Sequence, residues 1–165
     1  MSDTAFVSDT FAICHNRSTE RWNGHSVGRA QRNFELGEIY HLTAHGTDDR
    51  KIFLDDVDRQ GFVMRLRRVA QTYAWELHAY CLMDTHYHVL TRAGQIAEGM
   101  RVLNGAHSRA FNERHGRRGA LFESRYADRV IRDETHLAYA IAYIEENRLR
   151  AALDADWIWR SGNGV

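Results

Sequence analysis

The sequence predicts an α+β fold: an antiparallel sheet of four strands, two helices on one face of it, and a further helix at the C-terminal end. Three observations lead there. Segments with a period of two and segments with a helical period follow one another in the order β-α-β-β-α-β-α. The two middle strands are separated only by Asp84-Thr85, which makes them a hairpin. The chain has 165 residues, 44% of them hydrophobic, which is the length and apolar content of one domain with a proper core.

Residues 1–36 mix Ser, Thr, Asn, Gly and Arg without a sustained period and read as an irregular N-terminal arm. Regular structure starts near Glu38. Ile39 to His45 is rich in strand formers and stops at Gly46. Asp55 or Asp56 suits a helix N-cap, and Val57, Phe62, Leu66, Val69 and Tyr73 then recur at helical spacing. From Trp75 to Met83 the side chains alternate, with Leu77, Ala79, Cys81 and Met83 on one face and His78, Tyr80 and Leu82 on the other. His86 to Thr91 returns as the second arm of the hairpin. A second helix runs from Ile96 to about Glu113, with Ile96, Met100, Leu103, His107 and Phe111 on its apolar side, and ends in the loop His115 to Gly119. Tyr126 to Arg132 reads as the fourth strand. Asp133 then caps a last helix from Glu134 to about Leu153. The first six elements have the order of the split βαβ, ferredoxin-like arrangement, which many nucleic-acid binders and enzymes share.

Composition narrows the function. No apolar run is long enough to span a membrane, and no charged segment followed by an apolar run opens the sequence, so a secretory leader is not expected. Cys14 and Cys81 do not make a disulfide framework, so the cytoplasm is the expected compartment. Net charge is zero, but it is unevenly spread. Arg109, Arg114, Arg117, Arg118, Arg125, Arg129 and Arg132 are opposed in their stretch only by Glu113, Glu123 and Asp128. Such a local basic stripe suits phosphate, and it equally describes a solvated helix and loop. The chain has no proline, for which we have no physical account.

Two groups of residues carry candidate chemistry. In His86-Tyr87-His88 the two imidazoles share one face of a strand, where they can grip one cation, while Tyr87 turns to the opposite, packed face. Among ten histidines this spacing is not specific by itself, and two hydrogen-bonded surface histidines would look the same. Tyr143 and Asn147, four apart on the last helix, share a face beside the apolar stripe Leu137, Ala140, Ile141 and Ile144. A rim tyrosine packing its ring and wetting its hydroxyl fits equally well, and so does Tyr139 one turn earlier.

The two groups gain weight together. Leu77-His78-Ala79-Tyr80-Cys81-Leu82-Met83-Asp84-Thr85-His86-Tyr87-His88-Val89-Leu90 resembles the metal-binding hairpin of REP-associated and IS200-like single-tyrosine transposases of the HUH class. Tyr40 to Gly46, Gly119 to Tyr126 and Tyr143 to Ala151 resemble three further motifs of that family, in the same order, so the resemblance runs from about Glu38 to Trp159. It implies that residues 37–165 form an HUH tyrosine transposase domain whose C-terminal helix carries the nucleophile. Tyr143 would be that nucleophile, and His86, His88 and Asn147 the ligands of a divalent ion, Mg²⁺ or Mn²⁺. The activity implied is cleavage and transfer of single-stranded or hairpin DNA through a 5′-phosphotyrosine. For such a substrate the basic stripe is the expected electrostatic track, with Arg109, Arg117, Arg118, Arg125 and Arg129 contacting DNA. Related enzymes are monomers or homodimers. Two departures stand out: Asp84-Thr85 replaces the family's Pro-Asn, and Arg148 follows Asn147 where the family has proline. A second reading is therefore a domesticated, inactive nucleic-acid-binding module of the same fold, and a third a metal-dependent hydrolase that uses the histidines without a tyrosine adduct. Trp157 and Trp159 would either stack on bases or pack against the last helix.

Overall fold

The computed structural model of the chain describes residues 37–150 and 157–161. The predicted N-terminal arm, Cys14 and the predicted helix end at Leu153 lie outside the described residues. The strands are β1 (Ile39–His45), β2 (Glu76–Leu82), β3 (His86–Arg92), β4 (Ala127–Ile131) and β5 (Ile158–Arg160). The helices are α1 (Asp56–Thr72), α2 (Ile96–Arg114) and α3 (Glu134–Arg150). All strand pairs are antiparallel, in the order β4-β1-β3-β2-β5. The first four are in the ferredoxin-like arrangement that the sequence predicts.

The sheet is covered on both sides. Tyr40, Leu42, Ala44, Tyr87 and Val89 pack with Phe62, Leu66, Met100, Leu103 and Phe111 of α1 and α2 in the main core. The other face carries a smaller cluster of Ala79, Cys81, Leu90 and Ile131 with Ala140 and Ile144 of α3. Two of the three helices, α1 and α3, begin at a capping aspartate. Asp55 accepts from the Asp58 amide at 3.1 Å, and Asp133 accepts from the His136 amide at 2.8 Å, so each satisfies an amide that the first turn leaves unpaired. With Arg148 in place of proline, α3 continues past Asn147 to Arg150.

Four details differ from the sequence reading. Val57 is 57% exposed, while its neighbours Asp58 and Arg59 are buried. The Asp58 carboxylate takes the Leu54 amide at 2.9 Å, Arg114 at 2.6 Å and His115 at 3.0 Å, and these bonds turn that edge of the helix inward. Leu77 packs against the main core rather than beside Ala79 and Cys81, because a β-bulge between Leu77 and Ala79 inserts one residue and reverses the alternation. The fifth strand was not foreseen, since Ile158–Arg160 is too short to show a period. Finally, the tail tryptophans do not rest on α3. Trp157 joins the main core with the Arg59 guanidinium 5.9 Å from its ring, and Trp159 stacks on Tyr80 at 6.0 Å. It is Arg160 that reaches α3, through Glu145 at 3.2 Å.

Candidate active site

Alternation in β1 sends Tyr40, Leu42 and Ala44 into the main core and leaves His41, Thr43 and His45 on the α3 face. Opposite them on β3 stand His88, paired with Thr43, and His86, paired with His45. Tyr87 points the other way, fully buried, and donates its hydroxyl to Asn104 Oδ1 at 2.6 Å. The hairpin turn beside His86 is held in place. The Gly46 amide donates to the Thr85 carbonyl at 2.8 Å, and the Ile52 amide donates to the Asp84 carbonyl at 2.7 Å. The Asp84 side chain, two residues before His86, is engaged elsewhere: one carboxylate oxygen binds Arg59 and the other binds Lys51 at 2.7 Å.

The His86 and His88 rings are 5.1 Å apart and nearly perpendicular. The ring of Tyr143, from α3, meets that of His88 edge-on at 5.8 Å and is only 6% exposed. Asn147, one turn further on, is 7% exposed, whereas Tyr139 is 50% exposed and belongs to the solvent side of the helix. Two polar atoms here are buried without a hydrogen-bond partner, Nε2 of His88 and Nδ2 of Asn147. A native interior leaves few such atoms unpaired, and a missing ion is one of the usual reasons.

Burial dominates the electrostatics. It pushes His41 down to about 4, helped by Arg129 and His136, and His86 down to about 4, helped by His45. It carries His88 well below the ordinary histidine range, with His41 and His86 adding to the effect. All three rings are therefore neutral near neutral pH and keep a lone pair to offer. Among the described residues no three His, Cys, Asp or Glu side chains converge on one point. The polar groups that the patch offers are the two imidazoles and the amide of Asn147. That amide presents nitrogen or oxygen according to which way it is turned, an orientation fixed only by its surroundings.

The arginines of the basic stripe are dispersed. Arg129, on β4 opposite His41, shares the register of the histidine face and is half-buried. Arg125 and Arg118 are exposed in the segment that leads into β4. Arg109 is exposed on α2, in the helix layer behind the sheet, and Arg117 lies over the Phe111 ring at 5.6 Å. Arg114 is bound by Asp55 at 2.6 Å and Asp58 at 2.6 Å.

Sequence reasoning missed the β1 side of the site. His41 Nε2 is hydrogen bonded to His88 Nδ1 at 2.9 Å, with Thr43 Oγ1 at 3.3 Å from the same nitrogen. His45 stacks on His86 at 4.6 Å. The signal was present: one face of β1 is apolar throughout, while the other reads His41, Thr43, His45.

Residues 37–147 match the family profile described as IS200-like transposase. No curated protein matches the chain significantly. Among solved structures, the chain is similar to a REP-associated tyrosine transposase bound to a REP hairpin, at 16% identity and a TM-score of 0.61, covering 74% of this chain and 73% of that one. It is also similar to a protein of Deinococcus radiodurans R1 whose structure is described as that of a candidate transposase, at 23% identity and a TM-score of 0.49, covering 72% and 97%. The first likeness concerns the fold. The profile match covers the histidine pair, Tyr143 and Asn147 within residues 37–147, and on it the chain belongs to the IS200-like transposase family.

Proposed function

We propose that this transposase is a metal-dependent single-stranded-DNA strand transferase, acting on hairpin-bearing DNA through a covalent bond to Tyr143. The observation that carries the reading is the edge-on approach of Tyr143 to His88 at 5.8 Å, beside two unpartnered polar atoms, on the face of the sheet that α3 covers. The hairpin-bound relative adds support for the substrate class.

His86 and His88 would hold the ion through ring nitrogens and Asn147 through its amide oxygen. An Mg²⁺ or Mn²⁺ ion held there would supply charge withdrawal from the phosphate, although imidazole ligands also suit zinc. The remaining work falls to the chain. α3 delivers the phenol of Tyr143, whose burial beside the histidines limits its rotation. The phenolic oxygen attacks phosphorus and loses its proton, the bond from phosphorus to the 3′ oxygen breaks, and that oxygen leaves as a 3′-hydroxyl. The 5′-phosphate is then esterified to Tyr143. A 3′-hydroxyl of another strand reverses the step, so rejoining needs no nucleotide cofactor. Arg129 is the best placed of the predicted arginines to hold phosphate on the histidine side, with Arg125 exposed in the segment that leads to it. Arg118 would act from the loop before β4, and Arg109 and Arg117 would act only on DNA that wraps behind the sheet.

The test is adduct formation between the full chain and hairpin-bearing single-stranded DNA with Mn²⁺, read on a denaturing gel. Tyr143→Phe is expected to abolish the adduct while retaining binding, and Tyr139→Phe to leave it intact. An adduct that survives Tyr143→Phe would overturn the assignment. Salt-sensitive binding without an adduct on any hairpin would identify a DNA-holding module instead.

A further inference from the structure

Both candidate ligand rings meet their hydrogen-bonding neighbours through the same nitrogen. His88 uses Nδ1, facing His41 Nε2 at 2.9 Å and Thr43 Oγ1 at 3.3 Å. His86 also uses Nδ1, facing Thr85 Oγ1 at 3.0 Å. Nε2 of His88 is left buried and unpartnered. A neutral imidazole has one N–H and one lone pair, so the partner of Nδ1 decides which of the two sits at Nε2.

Two tautomers of His88 satisfy the contact with His41. In one, His41 Nε2–H donates to His88 Nδ1, and the proton of His88 is then stranded on Nε2. A buried N–H without an acceptor is the less tolerated kind of orphan, and a cation cannot relieve it. In the other, His88 Nδ1–H donates to His41 Nε2 and Nε2 carries the lone pair, which a cation relieves directly. Thr43 lies near enough to share the Nδ1 proton in this second arrangement. Histidine ligands of metals commonly hold their remaining N–H against such a partner.

We propose that His41 is a positioning residue: from β1 it accepts the Nδ1 proton of His88 and thereby keeps Nε2 of His88 as the lone-pair nitrogen. Thr85 does the corresponding service for His86 from within the hairpin turn. This rests on His86 and His88 being metal ligands, but its central statement, the tautomer of His88, concerns the metal-free chain.

The tautomer is read from long-range ¹H–¹⁵N spectra of histidine-labelled, metal-free protein, with His88 assigned by its loss in His88→Gln. Protonated Nδ1 with unprotonated Nε2 is expected. A proton on Nε2 of His88 overturns the proposal without any variant of His41 having to fold. Mn²⁺ affinity by calorimetry is the second readout. His41→Phe is expected to weaken binding about 10- to 100-fold, the usual effect of losing such a partner. His41→Gln, whose amide oxygen can accept the same proton, should stay close to wild type. Wild-type affinity in His41→Phe, or an equal loss in both variants, would show a merely structural histidine. Failure of the wild-type chain to bind Mn²⁺ at all would sink the ligand assignment instead, and the spectra would still decide the tautomer.

Discussion

Lowering the pH from about 7.5 to about 5 should destabilise this protein, and His107 should account for a separable part of the loss. His107 is buried on α2 among Phe53, Phe62, Phe111 and Phe122, with ring centroids 5.0 to 6.2 Å away, and its Nε2 bonds to the Ile52 carbonyl oxygen at 2.9 Å. Burial pushes it from 6.5 down to about 4; the bond to Ile52 and the charge of Asp58 oppose the shift, while Arg65 adds to it. Between those two values the unfolded chain binds a proton that the folded chain refuses. Stability is therefore fully present above about 6.5 and falls with the pH until the folded ring itself protonates near 4. At pH 5 the unfolded state is favoured by about 1.5 units times 1.36 kcal/mol, or about 2 kcal/mol. Urea unfolding followed by tryptophan fluorescence, at both pH values, measures it. His107→Gln keeps a donor for the Ile52 carbonyl and does not titrate, so it should lose about 2 kcal/mol less than wild type over the same interval. The other buried histidines are common to both proteins and cancel in the difference. A pH dependence that is the same in both, or steeper in the variant, would refute the reasoning.

Four further outcomes follow from the side-chain contacts. Asp58→Asn should cost about 2 kcal/mol, because its nearly inaccessible carboxylate serves the Leu54 amide, Arg114 and His115 together, and the loss is read as a lower urea midpoint. Its partner Asp55, lowered to about 2 chiefly by its bond to Arg114, contributes above the ordinary carboxylate range and loses that contribution as the pH falls from about 4 towards 2, so Asp55→Asn should flatten the acid limb of thermal unfolding in that window. Gly46→Ala would place a Cβ 2.1 Å from the Arg50 carbonyl oxygen and 2.9 Å from Ile52 Cγ2, and the forced shift should lower stability by about 1–3 kcal/mol and disturb the adjoining hairpin turn. Trp157→Ala should cost about 3 kcal/mol or more and Trp159→Ala under about 1 kcal/mol; equal costs would contradict the different settings of the two rings.

The elements of this fold were legible because the main core repeats. Phe62, Leu66 and Val69 on α1, and Met100, Leu103, His107 and Phe111 on α2, are all buried at the spacing their helices require. Where the reading slipped, a local event broke the period. One extra residue in β2 turned Leu77 over. A three-residue edge strand offered too little chain for any period to register. At Val57, hydrogen bonding to Asp58 outweighed hydrophobicity, which no apolar count can register.

The site was half legible, for a reason that lies in how sheets are built. His86 and His88 announce themselves because two like residues at i and i+2 on one strand must share a face. His41 and Thr43 lie 47 and 45 positions from His88, and only the β1–β3 register brings them beside it. The same separation makes them informative. α3 covers the other face of β1, where packing alone would favour apolar side chains, yet His41 and Thr43 stand there and both are nearly inaccessible. Burying polar groups is unfavourable unless they are paired, and these pair with His88. Tyr143 extends the pattern from a third element. An apolar residue there would complete the α3 interface with Ala140 and Ile144, whereas Tyr143 sets a nearly inaccessible phenol ring against a buried imidazole. Three elements far apart in the chain thus each place polar groups on the same patch, against the gradient that packing alone would impose. Stability alone does not account for that coincidence, whereas the chemistry proposed for the patch would.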